Sequence, residues 1–319
     1  MPEWLIERGI GETRAVLVED GRIIEARIEL DDSVHAGTVL DAQLVDVGRN
    51  GRNAVVQDAS GASYLLPRGA PGVTQGGRAR VKVTREKIPG AEPWKRPLAR
   101  VSERDVCSPP PLVGRTVAFP PAGRDELAEA GWADLLEEAS SGEVGFDGGR
   151  LRISPTPAMT LIDVDGWLAP EDLAAAGAAA SAEAIRRLDI GGSIGIDLPT
   201  VKGKAERQRA GEAIDKVLSL PFERTAMNGF GFVQVVRPRL RPSLVEIMAD
   251  RASAQARALL RRAAIERKGA ARLVAHPAVI AVLEQNSDWT EALSRQVGGA
   301  ITLRSDPSLP IHDAYAESV

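Results

Sequence analysis

The chain is poor in cysteine, histidine and aromatic residues. Its one cysteine among 319 residues, Cys107, excludes an intrachain disulfide and a cysteine-based zinc cluster, and we expect a bystander thiol. The three histidines, His35, His276 and His312, are too scattered in sequence to predict a metal triad or a general-base pair. The low aromatic content, 4%, carries no functional signal of its own.

Long apolar runs are also missing. None approaches the roughly 18 residues that span a bilayer, and the first residues lead directly into charged ones instead of a signal peptide. We therefore expect a cytoplasmic protein that does not contact membranes. The pattern GxxxxGK[ST] is absent as well, which argues against a P-loop nucleotide hydrolase.

Composition and charge indicate a globular protein of two or three modules. Hydrophobic residues make up 44% and charged residues 26% of the chain, and the formal net charge is −4. That charge argues against a general nucleic-acid binder, but basic residues concentrate in two segments, 78–104 and 202–241. Such runs are commonly solvated surfaces. The second run directly follows Asp197, which favours a role in holding a phosphate backbone.

Two predicted strands, residues 159–166 and 192–198, each contain an aspartate near the carboxyl end, Asp163 and Asp197. The alanine-rich segment 170–188 between them predicts a helix that is stopped by a glycine pair. Strand, helix and strand in this order predict a parallel crossover, which places both aspartates at the carboxyl edge of a sheet. Neighbouring strands lie about 4.8 Å apart. Two carboxylates at that spacing suit Mg²⁺, which takes oxygen ligands and completes its shell with water and substrate phosphate.

Two other interpretations of these aspartates stay open. They could cap helices or lie in loops, which are common roles for aspartate at a strand end. The triplet Asp163-Val164-Asp165 also matches the aspartate-x-aspartate element of metal-dependent sugar transferases. Three residues carry little specificity, and the basic sequence after the second strand argues against sugar chemistry.

Short alternating strands dominate the N-terminal third. Residues 4–30 predict a hairpin with its turn at Asp20-Gly21, and residues 37–98 predict about five strands, which suit a small OB-type barrel. OB barrels bind single strands through basic grooves and aromatic platforms, so Tyr64 and Trp94 are candidate platforms. Because lone aromatic residues on strands usually pack, a packing role is the alternative for both.

These patterns together predict a chain of α+β and α/β segments. The segments are an N-terminal hairpin 1–34, a barrel 35–100, a connector 101–149 with one helix at 124–140, a catalytic α/β segment 150–248, and a basic helix with a small α/β tail 249–319. In the tail we expect a strand, one helix over 277–297 and a second strand.

Several blocks of sequence, taken in order, resemble the ribonuclease E/G family of bacterial endoribonucleases. The blocks are Leu161-Ile162-Asp163-Val164-Asp165, Leu188-Asp189-Ile190-Gly191-Gly192 with Ile196-Asp197, Gly229-Phe230-Gly231-Phe232 with Arg237-Pro238-Arg239-Leu240-Arg241-Pro242-Ser243-Leu244, and Asp306-Pro307-Ser308-Leu309. The ordered set covers roughly half of the chain, whereas any single block is weakly specific.

The resemblance implies a Mg²⁺-dependent endoribonuclease that cuts single-stranded RNA in RNA processing, including rRNA processing, or decay and leaves 5′-phosphate products. It implies an RNase H-like core with an inserted OB-type RNA-binding barrel and a DNase I-like α/β catalytic subdomain. Asp163 and Asp197 would be the catalytic residues and bind Mg²⁺ or Mn²⁺, with Asp165 as a third ligand or a residue that positions water. The residues expected to hold RNA are Tyr64, Arg85, Lys87, Arg207, Arg209, Arg237 and Arg239. For Arg207, Arg209, Arg237 and Arg239 a surface salt bridge is the alternative.

Four departures from the family pattern bear on activity and assembly. Asparagine is usual where this chain has Asp165, and an alanine-rich stretch, Ala174 to Ala180, replaces a polar helix whose side chains would orient the site. The family's 5′-monophosphate sensor would lie in the shortened segment 101–149, so we expect none. The zinc-binding Cys-Pro-x-Cys link is replaced by Val245-Glu246-Ile247-Met248-Ala249, so there is no structural zinc and a homodimer would need other contacts. The alternative function is an RNA-binding protein of the same fold with little or no cleavage.

Overall fold

The computed structural model of the chain describes residues 1–89 and 95–319. Its strands are β1 (Glu3–Arg8), β2 (Glu12–Glu19), β3 (Arg22–Leu30), β4 (Val39–Asp46), β5 (Ala54–Gln57), β6 (Ser63–Leu66), β7 (Arg78–Arg85), β8 (Leu98–Val101), β9 (Arg115–Val117), β10 (Glu143–Phe146), β11 (Gly149–Pro155), β12 (Thr160–Gly166), β13 (Gly192–Asp197), β14 (Glu223–Arg224), β15 (Phe232–Arg237), β16 (Ala271–Ala275), β17 (Ile301–Ser305) and β18 (Tyr315–Ser318). Its helices are α1 (Glu126–Glu129), α2 (Trp132–Ser141), α3 (Pro170–Arg187), α4 (Lys204–Val217), α5 (Leu244–Ala249), α6 (Arg251–Glu266), α7 (Pro277–Gln285) and α8 (Ser287–Val297). None of the helices in the described part of the chain combines the length and apolar character needed to cross a bilayer.

The chain folds into two units, each assembled from separate stretches of sequence. Unit 1 contains residues 1–32, 113–136 and 247–319, and unit 2 contains residues 33–112 and 137–246. Both have mixed α+β character, as the strand and helix patterns predict. Unit 1 thus combines the N-terminal strands, part of the connector and the C-terminal tail. The sequence patterns present these three as separate segments.

Unit 1 begins with a four-stranded sheet in the order β3-β2-β1-β9. The strands β1, β2 and β3 are antiparallel. The turn between β2 and β3 has positive φ at Asp20 (49°) and Gly21 (76°), the backbone of a two-residue type I′ hairpin. The predicted hairpin is therefore present, with β1 beside it, and β9 pairs parallel to β1.

The prediction of one connector helix at 124–140 is wrong, because this segment forms α1 and α2. The break lies at Gly131. Its φ is 94°, and a right-handed helix cannot continue through a residue with a positive φ. Asp125 caps α1, since its carboxylate accepts a hydrogen bond from the backbone N–H of Ala128 at 3.0 Å. The connector also supplies β9, a strand too short for its sequence pattern to predict.

A second sheet of unit 1 has the order β17-β16-β18, and α6, α7 and α8 share one hydrophobic core with it. The predicted single helix at 277–297 is wrong, because α7 ends at Gln285 and its C-cap residue, Asn286, has the non-helical angles φ −119° and ψ 62°. The side-chain N–H and the backbone N–H of Asn286 both donate to the carbonyl of Val282, at 2.8 and 3.1 Å, and together close the last turn of α7. The strand β18 was not predicted.

An alternating chain of charged side chains runs through unit 1. Each is ion-paired to the next in the order Asp125, Arg261, Glu7, Arg14, Glu12 and Arg257. Arg14 is 1% exposed, and its guanidinium carbon lies 5.9 Å from the ring centres of both Phe119 and Trp132. Burial alone would raise the pKa of Glu12, but the charges of Arg14 and Arg257 outweigh it and hold this pKa below its ordinary value of 4.5. Glu12 is therefore ionised at neutral pH.

In unit 2, five strands of the described residues close into a barrel in the order β4-β5-β6-β8-β7. Its core contains small and branched side chains, among them Ala54, Val56, Leu66 and Val81. This architecture is compatible with the OB-type barrel that the strand spacing predicts. The candidate platform Trp94 lies outside the described residues.

The rest of unit 2 is built on a six-stranded sheet in the order β10-β11-β12-β13-β15-β14. Strands β12 and β13 are parallel neighbours joined through α3, which confirms the predicted crossover. Helix α3 packs on β10, β11 and β12, and α4 packs on α3. Along β12, Ile162 and Val164 are buried, whereas Asp163 and Asp165 are exposed on the opposite face. The aspartates therefore lie on the face of the sheet away from α3.

Helix α3 does not end at the predicted glycine pair. Asp189 takes the left-handed conformation that usually requires glycine, with a φ of 52°. The backbone N–H of Ile190 then donates to the carbonyl of Ile185 at 2.9 Å, as in a Schellman motif. The Asp189 carboxylate accepts from Arg241 at 3.3 Å, which helps to hold this conformation.

Candidate metal and phosphate site

Asp163 and Asp197 are direct partners in the parallel register of β12 and β13. Adjacent strands lie about 4.8 Å apart, and both side chains are exposed on the same face of the sheet. Within the described residues, neither carboxylate makes a hydrogen bond or an ion pair. The residues at the N-caps of α3 and α4 are Ala169 and Gly203, which contradicts the helix-cap interpretation of the aspartates. The pair is therefore available to a ligand.

Strand β11 places two arginines beside the aspartates. In the antiparallel register Arg152 lies opposite Asp163, and Arg150 lies opposite Asp165. Both arginines are exposed, and their guanidinium groups lie 3.0 Å (Arg150) and 4.0 Å (Arg152) from the carboxylate of Glu143 on β10. One row across the sheet, from β10 to β15, reads Glu143, Arg152, Asp163, Asp197 and Phe232. No sequence pattern points to these arginines, because only the strand register brings them next to the aspartates.

The donor chemistry of the aspartate pair fits Mg²⁺. Among residues 1–89 and 95–319, no three His, Cys, Asp or Glu side chains converge to form a metal site made of protein ligands alone. Mg²⁺ does not need such a site, because it commonly binds one or two carboxylates together with waters and substrate phosphates. Mn²⁺ prefers the same oxygen ligands. Asp165 lies on the same face, about 6.6 Å further along β12, and can contact such an ion through water.

Two of the arginines predicted to hold RNA are engaged with the backbone of unit 2. Arg207 donates to the carbonyls of residues 201 and 202, at 3.1 and 2.8 Å. Arg237 donates to the carbonyls of residues 185 and 190, at 3.3 and 3.0 Å. Both side chains are half-buried. They stabilise the loop before α4 and the end of α3, a role that a count of charges does not reveal.

Two more of the predicted arginines form ion pairs. Arg209 lies 2.7 Å from a carboxylate oxygen of Asp172 and links α4 to α3, and Arg239 pairs with Glu246. The salt-bridge alternative therefore holds for both. Arg85 is half-buried, and burial together with the charge of Arg239 lowers its pKa.

The prediction of Tyr64 as an exposed stacking platform is wrong. Tyr64 is 0% exposed, and its side chain belongs to the barrel core. Its hydroxyl donates to Asp58 at 2.9 Å, and burial together with this bond raises the pKa of Tyr64 above its ordinary value. The packing alternative is right. Lys87, just beyond β7, is exposed, as an RNA-binding role requires.

The alanine-rich stretch of α3 has a packing role. Ala174 and Ala178 are fully buried. A Cβ atom added to Gly177 would overlap the side chain of Val164 on β12, so small residues are needed for this close approach. Val164 alternates with Asp163, and the stretch therefore packs on the face opposite the aspartates.

One further pattern, Gly191-Gly192-Ser193-Ile194-Gly195, has the GxSxG spacing of serine hydrolases. That mechanism needs the serine on a sharp turn from strand to helix. Ser193 instead lies within β13, where its hydroxyl accepts a hydrogen bond from Gln234 at 3.0 Å. The pattern does not form a nucleophile elbow here.

Comparison with known proteins assigns no family. No protein-family model matches the chain, and no curated protein matches it.

Proposed function

We propose that the chain is a Mg²⁺-dependent endoribonuclease of the ribonuclease E/G type, which hydrolyses single-stranded RNA in its processing or decay and leaves 5′-phosphate ends. The supporting observation is the in-register pair Asp163 and Asp197, exposed and without a partner in the described residues. Carboxylates on neighbouring strands, whose backbones lie about 4.8 Å apart, can share one divalent cation. Under this proposal unit 1 is the RNase H-like core, the barrel is the RNA-binding insert, and the six-stranded sheet is the DNase I-like catalytic part.

Each group near the pair has a role in this reaction. Asp163 and Asp197 would hold the metal from β12 and β13. When bound, Mg²⁺ or Mn²⁺ supplies a water of lowered pKa and neutralises charge on the phosphate. Arg152 and Arg150 would hold phosphate oxygens through charge-assisted contacts, which guanidinium groups make in bidentate form. Asp165 would accept a hydrogen bond from water and orient it.

An RNA-binding protein without cleavage is the second candidate. It is favoured by the exposed cations of unit 2, which can hold a phosphate backbone without any metal. The exposed cations Lys87, Arg150 and Arg152 would serve binding alone. The carboxylate pair counts against it, because carboxylates next to a phosphate backbone weaken simple binding.

Cleavage in Mg²⁺ and its loss in EDTA test the proposal. A short unstructured RNA labelled at its 3′ end would be incubated with the protein, and the products resolved on a gel. We expect shorter labelled products with Mg²⁺ or Mn²⁺ and none with EDTA, because the carboxylate pair then lacks its ion. Phosphatase treatment should change the mobility of these products, since they carry a 5′-phosphate. RNA binding without products in any buffer would support the second candidate, whereas products in EDTA would contradict a metal-dependent mechanism.

Replacing Arg152 with methionine is expected to weaken RNA binding about tenfold or more. A hydrogen bond to a charged group contributes about 1.5 to 3 kcal/mol, and 1.4 kcal/mol is a factor of ten in Kd. The slope of log Kd against log salt should also become less steep by about 0.7, the value for one lost phosphate contact on a single strand. Fluorescence anisotropy of labelled RNA in EDTA measures both.

The matched control for Arg152 is Lys216, an exposed cation on α4, a helix that packs on α3 and is ion-paired to the edge strand β14 through Asp215 and Arg224. The substitution Lys216→Met removes the same charge and should change Kd and the salt slope little. Equal effects of the two substitutions would show that only net charge matters, and would remove Arg152 from the site.

A further inference from the structure

Two aromatic side chains are exposed beside the aspartate pair. Trp167 is 78% exposed and Phe230 is 85% exposed, in a chain with 4% aromatic residues. Trp167 directly follows the last residue of β12, shortly after Asp163. Phe230 shortly precedes Phe232, which is the partner of Asp197 on β15. Both rings therefore belong to segments at the carboxyl edge of the β12-β13 pair.

Hydrogen bonds brace the turn that carries Phe230. The side-chain oxygen of Asn228 accepts from the backbone N–H groups of Phe230 and Phe232, at 2.8 and 3.1 Å. The hydroxyl of Thr200 donates to the Phe230 carbonyl at 3.2 Å, which ties the turn to the segment that follows Asp197. The backbone of Phe230 is held from both sides while its ring stays in solvent.

Close backbone contacts fix both aromatic positions further. The φ of Gly231 is 97°, and a Cβ atom at this position would overlap the carbonyl of Leu198. The backbone N–H of Leu198 also donates to the Gly231 carbonyl at 3.1 Å. The backbone N–H of Trp167 donates to the carbonyl of Gly148 at 3.1 Å. An exposed ring on a fixed backbone is held ready to stack on a ligand, because little further ordering of the chain is needed.

The charges near these rings suit a polyanion. Lys202 and Lys204 are exposed and shortly follow Thr200, the residue that contacts the Phe230 turn. Arg150 and Arg152 line the other side of the aspartate pair on β11. Cations that hold phosphates, together with ring faces that accept bases, are the combination by which proteins bind single-stranded nucleic acid.

We infer that Phe230 and Trp167 stack bases that flank the phosphodiester at the Asp163–Asp197 pair, and thereby select unpaired RNA. A base inside a duplex is stacked between its neighbours and cannot lie flat on a protein ring, so only unpaired nucleotides gain this contact. The inference rests on the proposed function and specifies how the substrate of the same site is chosen.

Binding in EDTA tests the stacking separately from cleavage. Anisotropy would be measured with a labelled single-stranded RNA and with the duplex of the same sequence. We expect Phe230→Ala and Trp167→Ala each to raise the Kd for the single strand by about 5- to 100-fold, the range that alanine substitution of stacking rings gives, and to leave the duplex Kd unchanged. Phe230→Trp keeps a ring and should bind as tightly as wild type, whereas Phe230→Leu keeps only apolar area and should not.

The matched control is Leu220→Ala. Leu220 is 80% exposed in the same unit, but it shortly precedes β14 at the far edge of the sheet, and its removal should leave Kd unchanged. If wild type binds and cuts RNA, and both aromatic variants bind the single strand with the wild-type Kd, the inference of stacking is wrong and the proposed function stands. If wild type binds no RNA, the proposed function fails as well. If the substitutions instead change the molecular mass in light scattering, the rings form a contact between copies of the chain and the stacking is again wrong.

Discussion

Replacing Asp163 and Asp197 together with asparagine is expected to slow RNA cleavage by about 10³-fold or more, whereas RNA binding in EDTA should not weaken and should become somewhat tighter, since two charges that repel the phosphate backbone are removed. Asparagine keeps the shape of each side chain but removes the negative charge that Mg²⁺ requires. Metal assistance supplies several kcal/mol in such reactions, and each 1.36 kcal/mol is a factor of ten in rate. Because both side chains are exposed, the fold should be unaffected. Single-turnover cleavage of labelled RNA measures the rate.

Single substitutions and a charge control sharpen this test. Each single variant should lose nearly as much rate as the double variant, because two ligands of one ion act as a unit. Glu183 is an exposed carboxylate on α3, so Glu183→Gln should leave the rate unchanged. A double variant that cuts within about tenfold of the wild-type rate would show that the pair is not the metal site, given the losses expected when ligands are removed. A large fall in its thermal midpoint would instead indicate a role in folding.

The crossover unit that carries the pair could be predicted because its signals are local. Alternation along β12 separates buried Ile162 and Val164 from exposed Asp163 and Asp165 within four residues. The alanine-rich segment that follows is long enough to predict α3, and a strand, helix and strand then pair in parallel. The barrel was predictable on the same grounds, since its strands are short, alternating and separated by turns.

The partners of the pair depend on long-range geometry that a sequence pattern does not contain. Arg152 reaches Asp163 only through the register of β11 against β12. Arg207 and Arg237 have the expected charge, but their guanidinium groups meet backbone carbonyls that no residue type reveals. The basic run 202–241 therefore predicted a phosphate-binding surface, but two of its arginines, Arg207 and Arg237, stabilise the protein's own backbone instead.

The side to which a strand residue points was equally hard to predict in the barrel. Tyr64 alternates with Ser63 and Leu65, and either face of β6 could have been the outer one from alternation alone. Closure of the barrel turns Tyr64 and Leu66 inward, where the hydroxyl still reaches Asp58. The exposed rings at the carboxyl edge of β12 and β13, Trp167 and Phe230, lie in a bend and a turn, where periodicity gives no signal.

Replacing Arg14 with methionine is expected to destabilise unit 1 by about 3 kcal/mol. Removing one partner of a buried ion pair destabilises a protein by about 3 to 5 kcal/mol, because the opposite charge is left buried. Arg14 is 1% exposed and pairs with Glu7 and Glu12. The lower end of the range applies, because Arg261 and Arg257 still pair with these two carboxylates in the variant. Urea denaturation gives the free energy of unfolding.

The pH dependence and a surface control make the Arg14 test specific. Because the pKa of Glu12 is lowered in the folded state, the stabilisation is fully present above 4.5 and is lost as the pH falls through that lowered value. The difference between wild type and Arg14→Met should therefore shrink in acid. Arg295 is 71% exposed and lies 3.9 Å from Glu291, so Arg295→Met should change stability by less than about 0.5 kcal/mol. A similarly small effect of Arg14→Met at neutral pH would show that the charged chain does not stabilise unit 1.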